Sequence, residues 1–212
     1  MSTQSLIVID YGMGNLRSVA KAFEHVAREE SLDVSVRISS SPEDVRNAHR
    51  VVFPGQGAMP DCMKYLRDSG LETAVRDAAA SKPFLGVCVG MQMLFDHSEE
   101  GDTPGLALVT GKVKRFKPQD HALKVPHMGW NEVVHTRNHA LWQDIPSAHR
   151  FYYVHSFFCE PMNPTLAIAS TDYCAPFTAA IAVNNVAAVQ FHPEKSHVAG
   201  LRFYRNFLNW RP

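Results

Sequence analysis

The stretch Pro83-Phe-Leu-Gly-Val-Cys-Val-Gly-Met-Gln-Met-Leu-Phe95 decides the fold, because within it a buried strand passes directly into a helix. Residues 83–87 are typical of a short strand that is covered on both faces, and the residues from Val89 onward are predicted to be helical, with residues 93–95 toward the core. Cys88 lies at the turn, with a glycine two positions to either side. A sharp strand-to-helix turn requires such small neighbours, as in the nucleophile elbow, which usually carries serine.

The turn is expected to aim the Cys88 side chain outward from the carboxyl end of the strand. Free backbone N–H groups and the positive end of the helix dipole lie there, and both favour thiolate over thiol. The alternative is a structural cysteine at an ordinary turn, since free cysteines are often core residues. The motif alone leaves both interpretations open.

Size and composition describe an ordinary globular protein. The chain has 212 residues, of which 45% are hydrophobic and 20% are charged, enough for one substantial core or two small ones. Basic and acidic residues balance at 21 each, so no basic excess indicates nucleic-acid binding. Residues 1–5 carry no basic segment, and the apolar run 6–9 is too short for a signal peptide or a membrane span. We therefore expect a cytoplasmic protein.

Cysteine and histidine spacing argues against a metal cofactor. The four cysteines are widely scattered and form no Cys-x-x-Cys pair, which disfavours a zinc ribbon and a disulfide framework; they are Cys62, Cys88, Cys159 and Cys174. Of eleven histidines only His135 and His139 stand four apart, in a segment predicted to be a strand running into a turn. No metal site and no cofactor are expected.

The first half of the chain alternates strands with helices. Strands are predicted at 6–9, 34–38 and 50–53, and this alternation favours a parallel sheet. Gly12 and Gly14 follow the first strand, but the third glycine of a dinucleotide loop is missing, so we interpret them as a plain loop. Ligands and partners bind at this edge of such sheets, and Asn15 is therefore a candidate functional residue.

The second half is predicted to be mostly hairpins, after a polar loop at 97–105. Its strands are expected at 108–116, 129–135, 151–154, 166–169, 178–182 and 187–191, and a helix at 200–210 closes the chain. The predicted class is α/β, with a doubly wound, mainly parallel central sheet flanked by helices and an antiparallel β extension in the C-terminal half.

Two further strand ends carry candidate chemistry. Pro54-Gly-Gln-Gly57 follows the third strand, and a tight glycine loop can present the backbone N–H groups of an oxyanion hole, although a plain turn is the simpler interpretation. His192 and Glu194 follow the strand at 187–191, where an imidazole can take the thiol proton of Cys88 while the carboxylate orients it. A parallel sheet would gather all three segments on one edge.

The chain resembles a known family at these same residues. Gly86-Val-Cys-Val-Gly-Met-Gln92 and Gln190-Phe-His-Pro-Glu194 match the class I (triad) glutamine amidotransferases, which have a flavodoxin-like fold. Within that class the chain is similar to the glutaminase subunits of imidazole glycerol phosphate synthase. The segments that carry this likeness are Asp10-Tyr-Gly-Met-Gly-Asn-Leu-Arg-Ser-Val19, Pro126-His-Met-Gly-Trp-Asn131, Val154-His-Ser156 and His192-Pro-Glu-Lys-Ser196. The resemblance implies one glutamine amidotransferase type 1 domain over residues 1–212.

The resemblance also implies roles for individual residues. Cys88 would attack the glutamine side-chain amide and form a thioester, His192 would shuttle the proton, and Glu194 would orient His192. The remaining implied positions are an oxyanion loop at Gly55, Gln56 and Gly57, and substrate-binding residues Gln92, Ser156 and Phe157. Two of them depart from the family pattern, which often has valine at position 56 and tyrosine at position 157.

The implied partner is a (β/α)8 cyclase subunit on a separate chain, which would form a heterodimer with this one. The cyclase would use the ammonia to make imidazole glycerol phosphate and an aminoimidazole carboxamide ribotide, in histidine biosynthesis. Residues implied at or near the contact are Asn15, Met128, Trp130 and Lys195. An unchecked glutaminase would waste glutamine and lose ammonia to water, so we expect low activity from the isolated chain.

Three alternatives stay open at this stage. The chain could be the glutaminase of another synthase, such as pyridoxal phosphate synthase, although the segment 126–131 disfavours this. It could be a stand-alone γ-glutamyl hydrolase or a cysteine peptidase, but such enzymes are usually secreted and no signal segment is seen. It could also be a catalytically silent regulatory subunit, which would be expected to lack a triad member.

Overall fold

The computed structural model describes residues 3–120 and 123–212 of the chain. The helices are α1 (Leu16–Glu29), α2 (Pro42–Asn47), α3 (Met59–Asp68), α4 (Glu72–Ser81), α5 (Val89–Gln92) and α6 (His197–Asn209). The strands are β1 (Gln4–Ile9), β2 (Val34–Ser39), β3 (Arg50–Gly55), β4 (Phe84–Cys88), β5 (Phe95–Ser98), β6 (Thr103–Pro104), β7 (Val109–Arg115), β8 (His127–His135), β9 (His149–His155), β10 (Phe157–Pro161), β11 (Ala167–Tyr173), β12 (Ala175–Val183) and β13 (Val186–Val189). Over these residues, no helix has the length and apolarity needed to cross a membrane.

The strands join in one continuous sheet whose parallel part has the order β2-β1-β3-β4-β13. From β13 the sheet continues antiparallel through β12 and β10 to β7, and β7 pairs in parallel with β5. A branch leaves β12 through β11 to β8 and β9. The α/β class predicted from the sequence, with its antiparallel extension, is confirmed.

Helices cover both faces of the parallel strands. The chain moves from β1 to β2 in one direction and from β2 to β3 in the other, so right-handed crossovers place α1 and α2 on opposite faces. On one face α1 packs against α6, where the rings of Phe23 and Tyr204 stack at 4.0 Å. On the other face α2 packs against α4. Full burial of an aromatic side chain such as Phe23 contributes about 2–3 kcal/mol.

Local sequence signals explain several of these elements. All four residues 6–9 are fully buried in β1, as expected of a strand with a helix on each face. Ser41 caps α2 by accepting a hydrogen bond from the Asp44 N–H, and Pro42 occupies the first helical position. The chain end is held by buried Arg50, which donates to the carbonyls of Phe207 and Trp210 at 3.0 and 2.9 Å.

The structure corrects the sequence prediction after the elbow. The helix that follows Cys88 was expected to include residues 93–95, but α5 ends at Gln92 after a single turn. Phe95 instead begins strand β5, which runs into the segment predicted as a polar loop. Pairing of β5 with β7 and β6 is the physical reason, because it satisfies backbone groups that a longer helix would have used.

The second half also holds more strand than the sequence prediction. The strand predicted at 129–135 begins two residues earlier, since β8 starts at His127 and pairs with β9 from that residue onward. Strand β10 was missed, and it pairs with β7 over Phe157–Pro161. Placing the 126–131 segment on a strand matters for function, because alternate side chains then face the interior and the surface.

Candidate functional site

The site is built on the carboxyl ends of the parallel strands. Cys88 is the last residue of β4 and has φ 56° and ψ −114°, a conformation that costs free energy for any residue other than glycine. Close packing of the surrounding backbone segments holds Cys88 in this conformation. A Cβ on Gly86 would lie 3.0 Å from the Gly90 carbonyl oxygen, and one on Gly55 would lie 2.6 Å from the Gly90 nitrogen. The glycines are therefore required by packing around the elbow.

His192 follows β13 and directly precedes the 3-10 turn Pro193–Lys195. Its Nδ1 is 2.9 Å from Oε1 of Glu194, and both side chains are almost fully buried. The Tyr204 hydroxyl donates to the second carboxylate oxygen, Oε2, at 3.3 Å. Helix α6 packs tightly against this turn, since a Cβ on Gly200 would lie only 1.8 Å from the Pro193 carbonyl oxygen.

The electrostatics of His192 favour a protonated imidazole. Burial by itself lowers the pKa of this histidine, but neighbouring Cys88 and Glu194 outweigh burial and raise the pKa to about 10. Its Nε2 is buried and, among the described residues, makes no hydrogen bond. With Nδ1 committed to Glu194, Nε2 is the ring atom available to exchange a proton with the Cys88 side chain.

Cys88 and His192 line the same cavity, which has a volume of about 340 Å³. The other lining residues are Gln56, Gly57, Val89, Gln92, Glu100, Pro126, Val154, His155, Ser156 and Phe157. The structure thus brings together the elbow, the glycine loop and the His-Pro-Glu turn that the sequence predicted to share one sheet edge. The volume suits a ligand of amino-acid size.

The predicted substrate-binding residues form one wall of this cavity. Buried Gln92 donates through Nε2 to the Phe157 carbonyl at 3.1 Å and to Oε1 of Gln190 at 3.2 Å. The Ser156 carbonyl accepts from the Phe116 N–H, so it belongs to the fixed frame of the wall. The phenyl ring of Phe157 carries no hydroxyl, and the guanidinium carbon of Arg115 lies 5.8 Å from the ring centre.

The predicted oxyanion loop lies beside the cysteine. Gly55 is the register partner of Cys88 in the β3–β4 ladder, and the next two residues line the cavity. Gly57 has φ +98°, a conformation that only glycine adopts without strain. The Gln56 carbonyl accepts a hydrogen bond from the buried Cys62 thiol at 3.4 Å.

Three of the four predicted partner-contact residues lie in or next to one exposed patch. Met128 and Trp130 are 67% and 43% exposed on β8, and the Trp130 ring stacks on His197 at 5.1 Å. Exposed Lys195 belongs to the turn that follows His192, and its Nζ lies 5.6 Å from the Tyr152 ring centre. Asn15 stands apart, at the start of α1, where its backbone carbonyl accepts from the Val19 N–H.

Glu100 and Gln190 are among the residues of the site that the sequence analysis missed. Glu100 is the acidic residue that lines the cavity, and its carboxylate accepts from the Met59 N–H at 2.9 Å. Gln190 is fully buried, and its Nε2 lies 3.9 Å from the Cys88 sulfur. The sequence did offer a signal for Gln190, because a residue two positions before His192 is expected to lie near the site. For Glu100 there was none, because acidic residues in a polar loop are commonplace.

The described part of the chain contains no group of three or more His, Cys, Asp or Glu side chains arranged to hold a metal ion. The four cysteines are all free, and three of them are buried.

Comparison with known proteins agrees with the geometry. The sequence profile of the family "Glutamine amidotransferase class-I" matches residues 7–210. The chain is 54% identical to "Imidazole glycerol phosphate synthase subunit HisH" of Nitrosospira multiformis, over 98% of each chain. It is 55% identical to the protein of the same name from Aromatoleum aromaticum, over 97% of this chain and 98% of the relative.

Solved structures share the fold at lower identity. A Thermoplasma acidophilum protein described as a putative GMP synthase subunit superposes with a TM-score of 0.70 at 19% identity, covering 99% of this chain and 94% of that one. A glutamine amidotransferase from Thermotoga maritima gives a TM-score of 0.64 at 17% identity, covering 92% and 77%. The family profile and the two close relatives together show that the chain belongs to the class-I glutamine amidotransferases and, within them, to the imidazole glycerol phosphate synthase subunits HisH.

Proposed function

We propose that this chain hydrolyses L-glutamine to L-glutamate and ammonia through Cys88, His192 and Glu194, and passes the ammonia to a cyclase subunit. One observation carries the proposal. A cysteine in a strained elbow conformation lines the same cavity as a histidine whose Nδ1 is held by a buried carboxylate. This arrangement provides the nucleophile, the base and the group that orients the base, as covalent acyl transfer requires.

In the first half-reaction the Cys88 thiolate attacks the δ-carbonyl carbon of glutamine, and a carbon–sulfur bond forms. Protonated His192 then gives its Nε2 proton to the departing nitrogen as the carbon–nitrogen bond breaks, which releases ammonia and leaves a thioester. Glu194 keeps the imidazole in place through Nδ1 and stabilises its positive charge. In the second half, neutral His192 takes a proton from water, which attacks the thioester and frees glutamate and the thiolate.

The negative charge on the tetrahedral intermediate needs backbone donors. The loop of Gly55, Gln56 and Gly57 supplies one set, since it lies beside Cys88 along the β3–β4 ladder. Val89 opens α5, and its N–H is one of the first-turn groups that have no partner within the helix. A donor on each side of the sulfur is the usual arrangement of an oxyanion hole.

The amino-acid end of glutamine carries one positive and one negative group. Glu100 supplies the negative charge on the cavity wall that the α-ammonium group requires. Gln92, Ser156 and Phe157 present amide and backbone groups on the adjoining wall. These residues account for the selection of a free amino acid over a simple amide.

The ammonia is proposed to pass to a (β/α)8 cyclase subunit in a heterodimer, where ring formation and the lyase step take place. The patch of Met128, Trp130 and Lys195 supports this contact, because it combines exposed apolar and basic groups directly beside the turn that carries His192. Asn15, which lies apart from this patch at the start of α1, is proposed to be a separate point of contact. Like its substrate and product, the protein is proposed to be cytoplasmic and to act in histidine biosynthesis.

Labelling with a diazoketone analogue of glutamine tests the proposed nucleophile. We expect one equivalent of label on Cys88 of the cyclase complex, with free glutamine protecting against it. Cys88→Ala should take up no label. Peptide mapping that placed the label on Cys62, Cys159 or Cys174 would overturn the assignment.

A further inference from the structure

A continuous row of hydrogen bonds leads from the surface strand β8 to the wall of the cavity. It runs through Asn131, His127 and His155 to the Phe157 carbonyl, and we call it the hydrogen-bond file. Nδ2 of Asn131 lies 3.2 Å from Nε2 of His127, whose Nδ1 lies 2.9 Å from Nε2 of His155. The Nδ1 of His155 lies 2.8 Å from the Phe157 carbonyl oxygen. The two histidines face each other directly in the β8–β9 ladder. None of these side chains takes part in the bond-breaking steps described above.

The direction of the file follows from Asn131. Its Oδ1 accepts from the Glu132 N–H at 2.8 Å, and its Nδ2 donates to the Asp172 carbonyl at 2.8 Å, so the amide has a single orientation. Nδ2 therefore donates to His127. A neutral imidazole has one N–H, so each ring accepts at Nε2 and donates from Nδ1. The last donor in the file points at the Phe157 carbonyl.

The surroundings keep both rings neutral. His127 and His155 are 4% and 6% exposed, and burial lowers their pKa values to about 4 and about 3. Aromatic rings enclose them, with Tyr173 stacked on His127 at 4.0 Å and Phe116 edge-on to His155 at 5.1 Å. The direction of the file therefore persists at neutral pH.

The file ends on an atom that also serves the substrate wall. The Phe157 carbonyl accepts from His155 and from Gln92, so two donors fix one oxygen. Gln92 in turn reaches Gln190, next to the Cys88 sulfur. If the donor from His155 were lost, the Phe157 carbonyl oxygen would keep only its hydrogen bond from Gln92, and the position of the Gln92 amide would be less tightly fixed.

We propose that Asn131, His127 and His155 are positioning residues that set the glutamine subsite by holding the Phe157 carbonyl and, through it, the Gln92 amide. The inference rests on the proposed glutaminase function. It assigns these three residues to ground-state binding of glutamine and leaves thioester formation to Cys88 and His192. The predicted signature is therefore a change in KM with little change in kcat.

Ring-preserving variants test the file in the complex with the cyclase. His155→Phe and His127→Phe keep the aromatic packing and remove the hydrogen bonds. We expect a KM for glutamine at least about tenfold higher, with kcat within threefold of wild type and ammonium-fed synthesis unchanged. His155→Asn, which can still donate to the Phe157 carbonyl, should recover most of the loss. Asn131→Ala, at a half-buried surface position, should give a smaller rise of the same kind.

A KM that stayed at the wild-type value, or a fall in kcat without a rise in KM, would overturn the positioning role. So would a His155→Asn variant as impaired as His155→Phe. Imidazole nitrogen-15 shifts of the wild-type protein provide a check that needs no variant, since both rings should carry their proton on Nδ1, and the opposite tautomer contradicts the file. Absence of any glutamine turnover in the wild-type complex would instead refute the glutaminase function itself.

Discussion

The backbone of Gly90 lies so close to the Phe53 carbonyl oxygen that an added Cβ would stand 1.9 Å from it. Phe53 belongs to β3, the strand that ends in the oxyanion loop, whereas Gly90 belongs to the single helical turn after Cys88. This contact locks the elbow to the strand beside it. The cysteine and the backbone donors therefore form one rigid unit.

Gly90→Ala tests that unit. Alanine in a helix is normally favoured over glycine by about 1 kcal/mol, so a loss of stability would have to come from the clash. Overpacking of this kind costs about 1–3 kcal/mol or more, and we expect glutamine turnover to disappear with it. Gly70→Ala is the control, because nothing lies within 4 Å of that position and only its φ of +71° opposes the change. Denaturant unfolding and turnover measure both, and full turnover by Gly90→Ala would contradict the prediction.

Cys88→Ala should separate the two halves of the overall reaction. With glutamine as the nitrogen source, product formation by the complex is expected to fall by at least about 10³-fold, because the thioester cannot form. Synthesis fed with ammonium salts should persist, since the cyclase receives ammonia directly. Cys174→Ser, at an exposed cysteine outside the cavity, should behave like wild type. Equal loss with both nitrogen sources would mean that Cys88 has another role.

Glu194→Gln removes the charge beside His192 while keeping an acceptor for Nδ1. Glu194 is one of the groups that raise the pKa of His192 to about 10, so the variant should lose its imidazole proton at lower pH. The alkaline limb of kcat/KM is then expected to move to lower pH, with a fall of about ten- to a hundredfold at neutral pH. Tyr204→Phe removes only the hydroxyl at 3.3 Å from Oε2 and should leave the limb in place. An unshifted profile in Glu194→Gln would argue against the orienting role.

The two buried histidines of the file make stability depend on pH. Unfolded imidazoles take up protons near pH 6.5, whereas in the folded chain the pKa values of His127 and His155 are about 4 and about 3. Between those limits the unfolded state binds more protons, so the free energy of unfolding falls as pH falls. Each ring contributes about 1.4 kcal/mol per pH unit. Urea unfolding at several pH values between 6 and 5 gives the slope of the unfolding free energy against pH. In His127→Phe this slope should be smaller by the equivalent of about one bound proton. An unchanged slope would contradict the burial effect.

Trp130→Ala should weaken the proposed subunit contact. The ring is 43% exposed and stacks on His197, which gives it the rigidity of an interface anchor. We expect the Kd for the cyclase to rise by about tenfold or more, with glutamine turnover falling because the complex is lost. Met162→Ala provides a matched exposed control, since Met162 is 77% exposed and follows the opposite end of β10 from the cavity. Titration calorimetry distinguishes the two, and an unchanged Kd for Trp130→Ala removes this residue from the contact.

The elbow and the His-Pro-Glu turn could be predicted from the sequence because their signals are local. The glycines on both sides of Cys88 form a motif that is recognisable within five residues, and the strands before Gly55 and His192 are recognisable from their apolar runs. Parallel pairing then brings their ends together without any knowledge of distant contacts.

The remainder depends on pairings between distant segments. Residues 93–95 are apolar in either conformation, and only the register of Phe95 with Val109 turns the segment into a strand. Glu100 reaches the cavity because its carboxylate meets the Met59 N–H, 41 positions away. His127 and His155 are 28 positions apart and meet only through the β8–β9 register. Such contacts leave no periodic signal in a single sequence.

The turn Pro193–Lys195 has a consequence for engineering. His192 directly precedes it and lines the cavity, while exposed Lys195 and His197 lie against Tyr152 and Trp130 at the surface. Substitutions meant to recruit a different cyclase would therefore alter the segment that holds His192, the residue that transfers the proton. A graft of new surface residues here should be selected for turnover as well as for affinity.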